Sequence, residues 1–184
     1  TKKSVTIQNE ILRSHQEVEI ANFLYLNNIE YEYEPIYQYN IQYSHKPYTP
    51  DFVIYQNGKI AYIEHFGITE NGKNDRYSQD ELEQYKKAIN DKIKLHKQHD
   101  TTLIYTFSVY NDGKPLTEHL QEALEVKGFE LKPRSNKEVM ELLVAGEENR
   151  YVRKLINLIC RFISNFKVNG YNCLLYTSDA ADDL

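Results

Sequence analysis

Apolar and polar positions follow a helical period near the start of the chain. Ser14 and Glu17 form the S-x-x-E pattern that begins helices. Ile20 and Leu24 then place apolar residues about one helical turn apart, which predicts a buried stripe. Asn27 and the residue after it end this pattern, so the first predicted element is a short amphipathic helix.

The clearest β pattern surrounds an Asn-Gly pair. Residues 51–55 and 60–64 are rich in β-branched and aromatic side chains, and Asn57-Gly58 lies between them. Asn-Gly is the favoured pair for a type I′ turn, which joins two antiparallel strands tightly. These residues therefore predict a β-hairpin.

Helical and strand patterns alternate along the remainder of the chain. Further elements are predicted as a strand over 29–34, a helix from the Ser78-x-x-Glu81 capping box to about His99, a strand over 101–108, a helix over 117–127 ended by Gly128, a short strand over 129–131, and helices over 135–143 and 149–166. Such alternation predicts an α/β fold with a mixed sheet flanked by helices, followed by C-terminal helices.

Composition narrows the functional classes. Of the 184 residues, 41% are hydrophobic and 27% are charged, which is ordinary for a globular protein. A net charge of −5 argues against a chain that binds nucleic acid by its overall charge, so local basic patches matter more. No apolar run approaches the ~20 residues of a membrane span, and no P-loop motif for ATP is present. Cys160 and Cys173 are too few for a disulfide framework, so a cytoplasmic location is expected.

Two acidic residues are candidates for a metal site. Asp51 and Glu64 stand at mirrored positions on either side of Asn57-Gly58. Antiparallel pairing across a tight turn brings the start of one strand beside the end of the other. Two converging carboxylates suit a hard cation such as Mg²⁺, which activates water and neutralises phosphate charge.

The same segment resembles a nuclease motif. Pro50-Asp51 followed by Glu64 is similar to the PD-(D/E)XK motif, except that Phe66 occupies the place of the lysine. The resemblance makes Lys92, on the helix after the hairpin, the candidate for the missing cation, because this lysine has migrated to such a helix in several members of the superfamily.

A closer resemblance covers nearly all of residues 10–172. Segments similar to the insert of helicase IV-like, superfamily 1 DNA helicases lie at 20–34, 50–52, 63–68, 92–96, 102–108 and within 155–170. This resemblance implies a restriction-endonuclease-like domain over 1–134 and a helical segment over 135–172 that leads back into a helicase body. It also implies that the partner is DNA and that the whole protein acts in DNA repair. The ATP-hydrolysing motor would have its ATP-binding motifs outside this chain.

Five side chains have expected roles, four of them implied by the resemblance and that of His96 by helical spacing. Asp51 and Glu64 are expected to hold Mg²⁺, and Lys92 is expected to stabilise the attacking water or the developing charge while contacting DNA. Glu17 is expected either to support the metal or its water or only to cap its helix. His96 lies one helical turn after Lys92, and is expected to contact DNA phosphate or to pack in the interior.

Other candidates have simpler alternatives. His65 is expected to point away from Glu64 as a structural histidine, although its backbone carbonyl is a further candidate ligand. Aromatic residues between Tyr37 and Tyr48 either stack on single-stranded bases or, as we favour, pack internally. The lysines around Lys92 are expected to lie on a solvent-exposed face of their helix. Two rival functions remain open, a catalytically inactive DNA-binding insert and a free-standing nuclease.

The last twelve residues match no structural pattern. Residues 173–184 resemble a translated sequencing adapter of the transposon type, and removing them changes the net charge from −5 to −2 because three aspartates leave with them. We therefore expect residues 173–184 to be a non-native tail, and the remainder to be an internal piece of a longer protein.

Overall fold

The computed structural model describes residues 4–41, 46–145 and 150–168. It divides into two compact units, Thr1–Ser135 and Asn136–Leu184. The sequence placed this boundary after residue 134. The expected adapter-derived tail lies outside the described residues.

Eleven elements occur within the described ranges. In chain order they are β1 (Ser4–Val5), β2 (Ile11–Leu12), α1 (His15–Leu26), β3 (Glu30–Tyr33), β4 (Phe52–Gln56), β5 (Lys59–Thr69), α2 (Gln79–Gln98), β6 (Leu103–Val109), α3 (Leu116–Val126), α4 (Asn136–Ala145) and α5 (Arg150–Val168). The small β1–β2 pair was missed by the sequence pattern, because two-residue strands carry no measurable periodicity.

The central sheet has the strand order β3-β4-β5-β6. β3, β4 and β5 pair antiparallel, whereas β5 and β6 pair parallel across the crossover helix α2. The predicted α/β fold with a mixed sheet flanked by helices is confirmed. Asn57 and Gly58 adopt φ values of 50° and 77°, so the predicted tight hairpin turn is confirmed as well.

Helices cover both faces of the sheet. One face packs against α1 and α3 in the main core, which includes Leu24, Phe52, Ile63 and Leu120. The other face packs against α2 in two smaller clusters, one around Leu95 and one around Phe66 and Leu82. Because side chains alternate along a strand, consecutive residues of β5 face different helices. This alternation decides which residues of β5 meet α2.

One predicted boundary and one predicted strand are wrong. β5 continues to Thr69 rather than ending at Glu64, because its second half gains a parallel partner in β6. Residues 129–131 form no strand: the Phe129 amide bonds to the Leu124 carbonyl at the end of α3, and the Phe129 side chain fills the core. A short apolar run alone does not distinguish a strand from a core-filling loop.

The second unit contains α4 and α5. Leu155, Leu158, Ile159 and Ile163 are exposed along α5 at helical spacing. None of the helices within the described ranges combines the length and apolar composition that crossing a bilayer requires.

Candidate active site

The acidic pair lies where the β4–β5 ladder ends. Phe52 pairs with Ile63 as the last partners of the ladder, so Asp51 and Glu64 occupy the next matching positions. Residues directly opposite each other in an antiparallel pair share one face. This face is the one that α2 covers, since Tyr62 on it packs against Leu95 of that helix.

Asp51 is a half-buried carboxyl group with little compensation for its charge. Its Oδ2 accepts a hydrogen bond of 2.6 Å from the backbone amide of His65. Across the residues described, this is the single hydrogen bond to the carboxyl group. Burial, and next the negative charge of Glu64, raise the pKa of Asp51 to about 7, although the His65 amide and Lys92 act in the opposite direction. The position of Asp51 is therefore short of positive charge.

Glu64 is almost completely buried, with 1% of its surface exposed. Its Oε1 accepts a hydrogen bond of 2.6 Å from the Tyr48 phenol, and its Oε2 accepts one of 2.6 Å from the Lys92 ammonium. A buried carboxylate is tolerated only when such partners replace water. The two bonds hold both oxygens of Glu64 in a defined orientation.

Lys92 arrives from α2, and the local sequence explains its position. The helix begins at a complete capping box between Ser78 and Glu81, and Leu82 and Leu95 bury one of its faces. Lys92 lies one turn before Leu95, so its side chain points toward the same face of the sheet. The structure thus places the lysine expected from the resemblance directly on Glu64.

Phe66 explains why the lysine is absent from the motif position. Its ring is 2% exposed and packs with Leu82 and Phe107. A lysine there would bury its charge in an apolar cluster, which is costly. The fold supplies the cation from α2 instead.

Glu17 lies in the first turn of α1 and has a clear structural role. Its amide donates to the Ser14 hydroxyl at 3.1 Å, while its carboxylate accepts from the Arg13 amide at 3.2 Å and from the Tyr33 phenol at 2.6 Å. Glu17 therefore caps its helix, as one of the two alternatives predicted, and its carboxylate does so by accepting from the backbone amide of Arg13. The negative charge of Glu17 is still felt at Asp51, where it makes a small upward contribution to the pKa. Its support of a metal remains a prediction.

His96 does not offer a DNA contact in this structure. Its side chain is 1% exposed and bonds to the Tyr48 phenol and the Thr101 hydroxyl. Burial, followed by the positive charge of Lys92, lowers the pKa of His96 to about 4, so the ring is neutral near pH 7. The predicted contact with phosphate is corrected accordingly. The alternative of internal packing agrees with the structure, because α2 turns this position toward the rings of Tyr37, Tyr48 and Tyr62.

His65 points to the opposite face from Glu64, as the strand alternation predicted. Its Nδ1 lies 2.9 Å from the Thr106 hydroxyl, and its Nε2 lies 3.2 Å from Oε1 of Gln16. Burial lowers the pKa of His65 to about 4. The side chain is thus a neutral, hydrogen-bonded structural histidine, while its backbone amide holds Asp51.

Tyr48 is the site residue that sequence reasoning missed. Together with Tyr37 it is buried, at 5% and 2% exposure, so the internal-packing alternative holds for both rings. The one available signal was the position of Tyr48 two residues before Pro50, and a single sequence gives that spacing no weight.

A cleft of about 690 Å³ is connected to the acidic pair through one shared neighbour, although Asp51, Glu64 and Lys92 are not among the residues that line it. His65, whose amide binds Asp51, contributes to its wall. The wall combines cationic, acidic and aromatic side chains, including Glu17, Lys73, Asp75, Arg76, Tyr77 and Tyr85. Lys73 and Arg76 are exposed to solvent. This mixture suits a phosphate-bearing ligand that approaches along the cleft.

The donor chemistry of the acidic pair fits a hard divalent cation. Within the described ranges, no group of three or more His, Cys, Asp or Glu side chains is arranged to hold a metal ion. Mg²⁺, however, is usually held by one or two carboxylates together with water and substrate phosphate. Oδ1 of Asp51 accepts no hydrogen bond from the residues that the structure describes, and each oxygen of Glu64 retains lone-pair capacity beyond its present bond. The deficit of positive charge at Asp51 favours the same ligand.

Comparisons of the chain with protein-family models, with curated proteins and with solved structures find no match. The function is therefore inferred from the geometry of Asp51, Glu64 and Lys92 and from the sequence resemblance.

Proposed function

We propose that this domain hydrolyses DNA phosphodiester bonds in a Mg²⁺-dependent reaction, in the cytoplasm. The observation that carries the proposal is the distance of 2.6 Å between Nζ of Lys92 and Oε2 of Glu64, beside a half-buried Asp51 at the matching strand position. Two carboxylates that can hold a cation, together with one ammonium group, suit hydrolysis of a phosphodiester assisted by that cation.

Each side chain has a distinct task in this proposal. Asp51 and Glu64 hold the cation, and the bound Mg²⁺ supplies Lewis acidity and neutralises charge on the scissile phosphate. Lys92 places a fixed positive charge where negative charge develops on the phosphate or the attacking water. Glu17, which lines the cleft, supports the cation or its water. His65 keeps Asp51 in place through its backbone amide.

We further propose that the domain is an insert of an ATP-dependent DNA helicase. Support comes from the sequence resemblance over residues 10–172 and from the order of the elements, in which a helix precedes three antiparallel strands and a crossover helix leads to a parallel fourth strand. The surrounding gene tests this part directly. A Walker A loop upstream and a Walker B segment downstream are the expected result, and their absence from the complete gene contradicts the helicase assignment.

A second function, a DNA-positioning insert without cleavage, is favoured by one observation. Both oxygens of Glu64 are already engaged by Tyr48 and Lys92. In that case the nuclease-like fold binds DNA, and only the helicase motor is an enzyme.

Cleavage assays on the full chain separate the two functions. The wild-type protein is expected to cut labelled DNA with Mg²⁺ and to stop when the metal is chelated, whereas Asp51→Asn abolishes cutting. Asp100→Asn is a matched control, because Asp100 is exposed and its φ of 53° suits asparagine. DNA binding without cleavage supports the inactive insert. Cleavage that survives Asp51→Asn removes the site assignment.

A further inference from the structure

A chain of hydrogen bonds leads from Glu64 into the protein interior. The Tyr48 phenol lies 2.6 Å from Oε1 of Glu64 and 3.1 Å from Nε2 of His96. Nδ1 of His96 lies 2.8 Å from the Thr101 hydroxyl, which in turn contacts the Tyr37 phenol. Four side chains from three parts of the sequence are therefore linked to one carboxylate.

The number of protons at each group fixes the direction of the first bonds. The Glu64 carboxylate accepts the bond from Tyr48, and a phenol has only one proton to donate. Nε2 of His96 must therefore be the donor in its bond to the Tyr48 oxygen. A neutral imidazole carries a single N–H, so Nδ1 of His96 is left as an acceptor. The lowered pKa of His96, about 4, agrees with a neutral ring.

The direction of the remaining bonds follows in the same way. Nδ1 of His96 needs a donor, and the Thr101 hydroxyl lies 2.8 Å away. The same hydroxyl lies 3.3 Å from the His96 carbonyl, so the shorter bond to the ring takes its proton. The Thr101 oxygen is then free to accept from the Tyr37 phenol. Every donor in the chain consequently points toward Glu64.

We propose that His96 is held in the Nε2–H tautomer and that Tyr48, His96 and Thr101 are positioning residues for the Glu64 carboxylate. Aligned hydrogen bonds polarise and strengthen one another in the interior. Partners of this kind orient a metal-ligating carboxylate, and their removal typically lowers metal affinity or activity 10- to 100-fold. The positioning role rests on the proposed function, whereas the tautomer does not depend on it.

Thr101 allows the chain of hydrogen bonds to be tested at a residue that is remote from Glu64. In the opposite tautomer, Nε2 of His96 accepts and competes with Glu64 for the Tyr48 proton. Thr101→Val keeps the shape of the side chain but removes the hydroxyl donor that favours an unprotonated Nδ1 on His96. Thr101→Ser keeps the hydroxyl. Thr101 makes none of the described hydrogen bonds to Glu64, so both variants act on the carboxylate only through the chain.

Nuclear magnetic resonance of the ¹⁵N-labelled full chain tests the tautomer. Long-range ¹H–¹⁵N spectra of the wild type, with the His96 signals assigned through His96→Gln, are expected to show a protonated Nε2 and a bare Nδ1. Thr101→Val is expected to move population to the Nδ1–H form, and Thr101→Ser is not. A wild-type ring protonated at Nδ1, or an unchanged tautomer in Thr101→Val, overturns the proposal.

Cleavage kinetics test the positioning role. We expect Thr101→Val to lower kcat for Mg²⁺-dependent DNA cleavage about tenfold at a temperature where the variant is still folded, while Thr101→Ser restores the rate. His99→Gln is the control, because His99 is exposed and stacks on Tyr39 outside the chain. Full activity in Thr101→Val despite an altered tautomer overturns the positioning role. A wild-type chain that cuts no DNA contradicts the proposed function instead, and the tautomer measurement still stands.

Discussion

The ammonium group of Lys92 lies 2.6 Å from Oε2 of Glu64, although the two residues are 28 positions apart in the sequence. The ion pair joins α2 to β5, and its two partners differ strongly in exposure, with 27% of the lysine side chain but only 1% of the glutamate side chain exposed. Glu64 thus depends on Lys92 for its charge balance more than Lys92 depends on Glu64. This asymmetry governs what happens when either partner is removed.

Loss of the lysine is expected to destabilise the fold. Lys92→Met keeps the aliphatic stem but leaves a buried carboxylate without its cation, which costs about 3 kcal/mol of unfolding free energy. Adding Glu64→Gln to this variant should recover much of the loss, because the amide carries no charge. Urea denaturation of the single and double variants measures both effects.

Lys94→Met provides the matched control for this cycle. Lys94 lies two residues further along α2 and is exposed, so its replacement is expected to change the free energy of unfolding by less than about 0.5 kcal/mol. If Lys92→Met is no more destabilising than Lys94→Met, the ion pair does not balance the buried charge.

Returning the lysine to the motif position is expected to fail. Phe66→Lys replaces a ring that is 2% exposed with a charged side chain, so more than about 3 kcal/mol of stability should be lost. Phe66→Leu keeps the position apolar and should cost roughly 1.5 kcal/mol or less. Thermal unfolding of the two variants, compared with that of the wild type, measures the difference. A Phe66→Lys protein as stable as Phe66→Leu shows that this position accepts charge.

More of the fold than of the candidate site could be predicted from the sequence. The hairpin followed from Asn57-Gly58, because a turn that needs two positive φ angles is written in local residue types. Mirrored placement of Asp51 and Glu64 followed from that turn. Tyr48 could not be predicted, since its contact with Glu64 depends on how the segment before β4 folds back over the sheet. The predicted end of β5 was wrong for a similar reason, because the partner strand β6 is distant in sequence.

The raised pKa of Asp51 predicts how stability depends on pH. Its folded pKa of about 7 exceeds the ordinary 3.8, so the folded state binds more protons than the unfolded state between these values. Its contribution to stability is therefore lost as pH rises through this window. His65 and His96 act oppositely, because their lowered pKa values of about 4 make stability rise with pH between about 4 and 6.5.

Asp51→Asn isolates the aspartate from the histidines. The variant leaves both imidazoles in place but removes the carboxyl group that titrates. Its free energy of unfolding, relative to that of the wild type, should therefore increase between pH 5.5 and pH 8 in the absence of divalent cations. Urea titrations at several pH values measure this difference, and Asp100→Asn should run parallel to the wild type. Saturating Mg²⁺ should stabilise the wild type at pH 8 but not Asp51→Asn. Parallel curves for Asp51→Asn and the wild type contradict the raised pKa.

The cleft lined by Lys73 and Arg76 is expected to contact DNA through these two exposed cations. Each cation that neutralises a phosphate contributes a counterion-release slope of about one unit in a plot of log affinity against log salt concentration. Lys73→Gln combined with Arg76→Gln should therefore lower the slope by nearly two, measured by fluorescence anisotropy without Mg²⁺ so that no DNA is cut. Lys87→Gln combined with Lys97→Gln removes the same charge from exposed positions of α2 that do not line the cleft. Because the chain carries a net charge of −5, overall charge alone would make the two pairs equivalent, and equal slopes would remove the cleft as the DNA-binding surface.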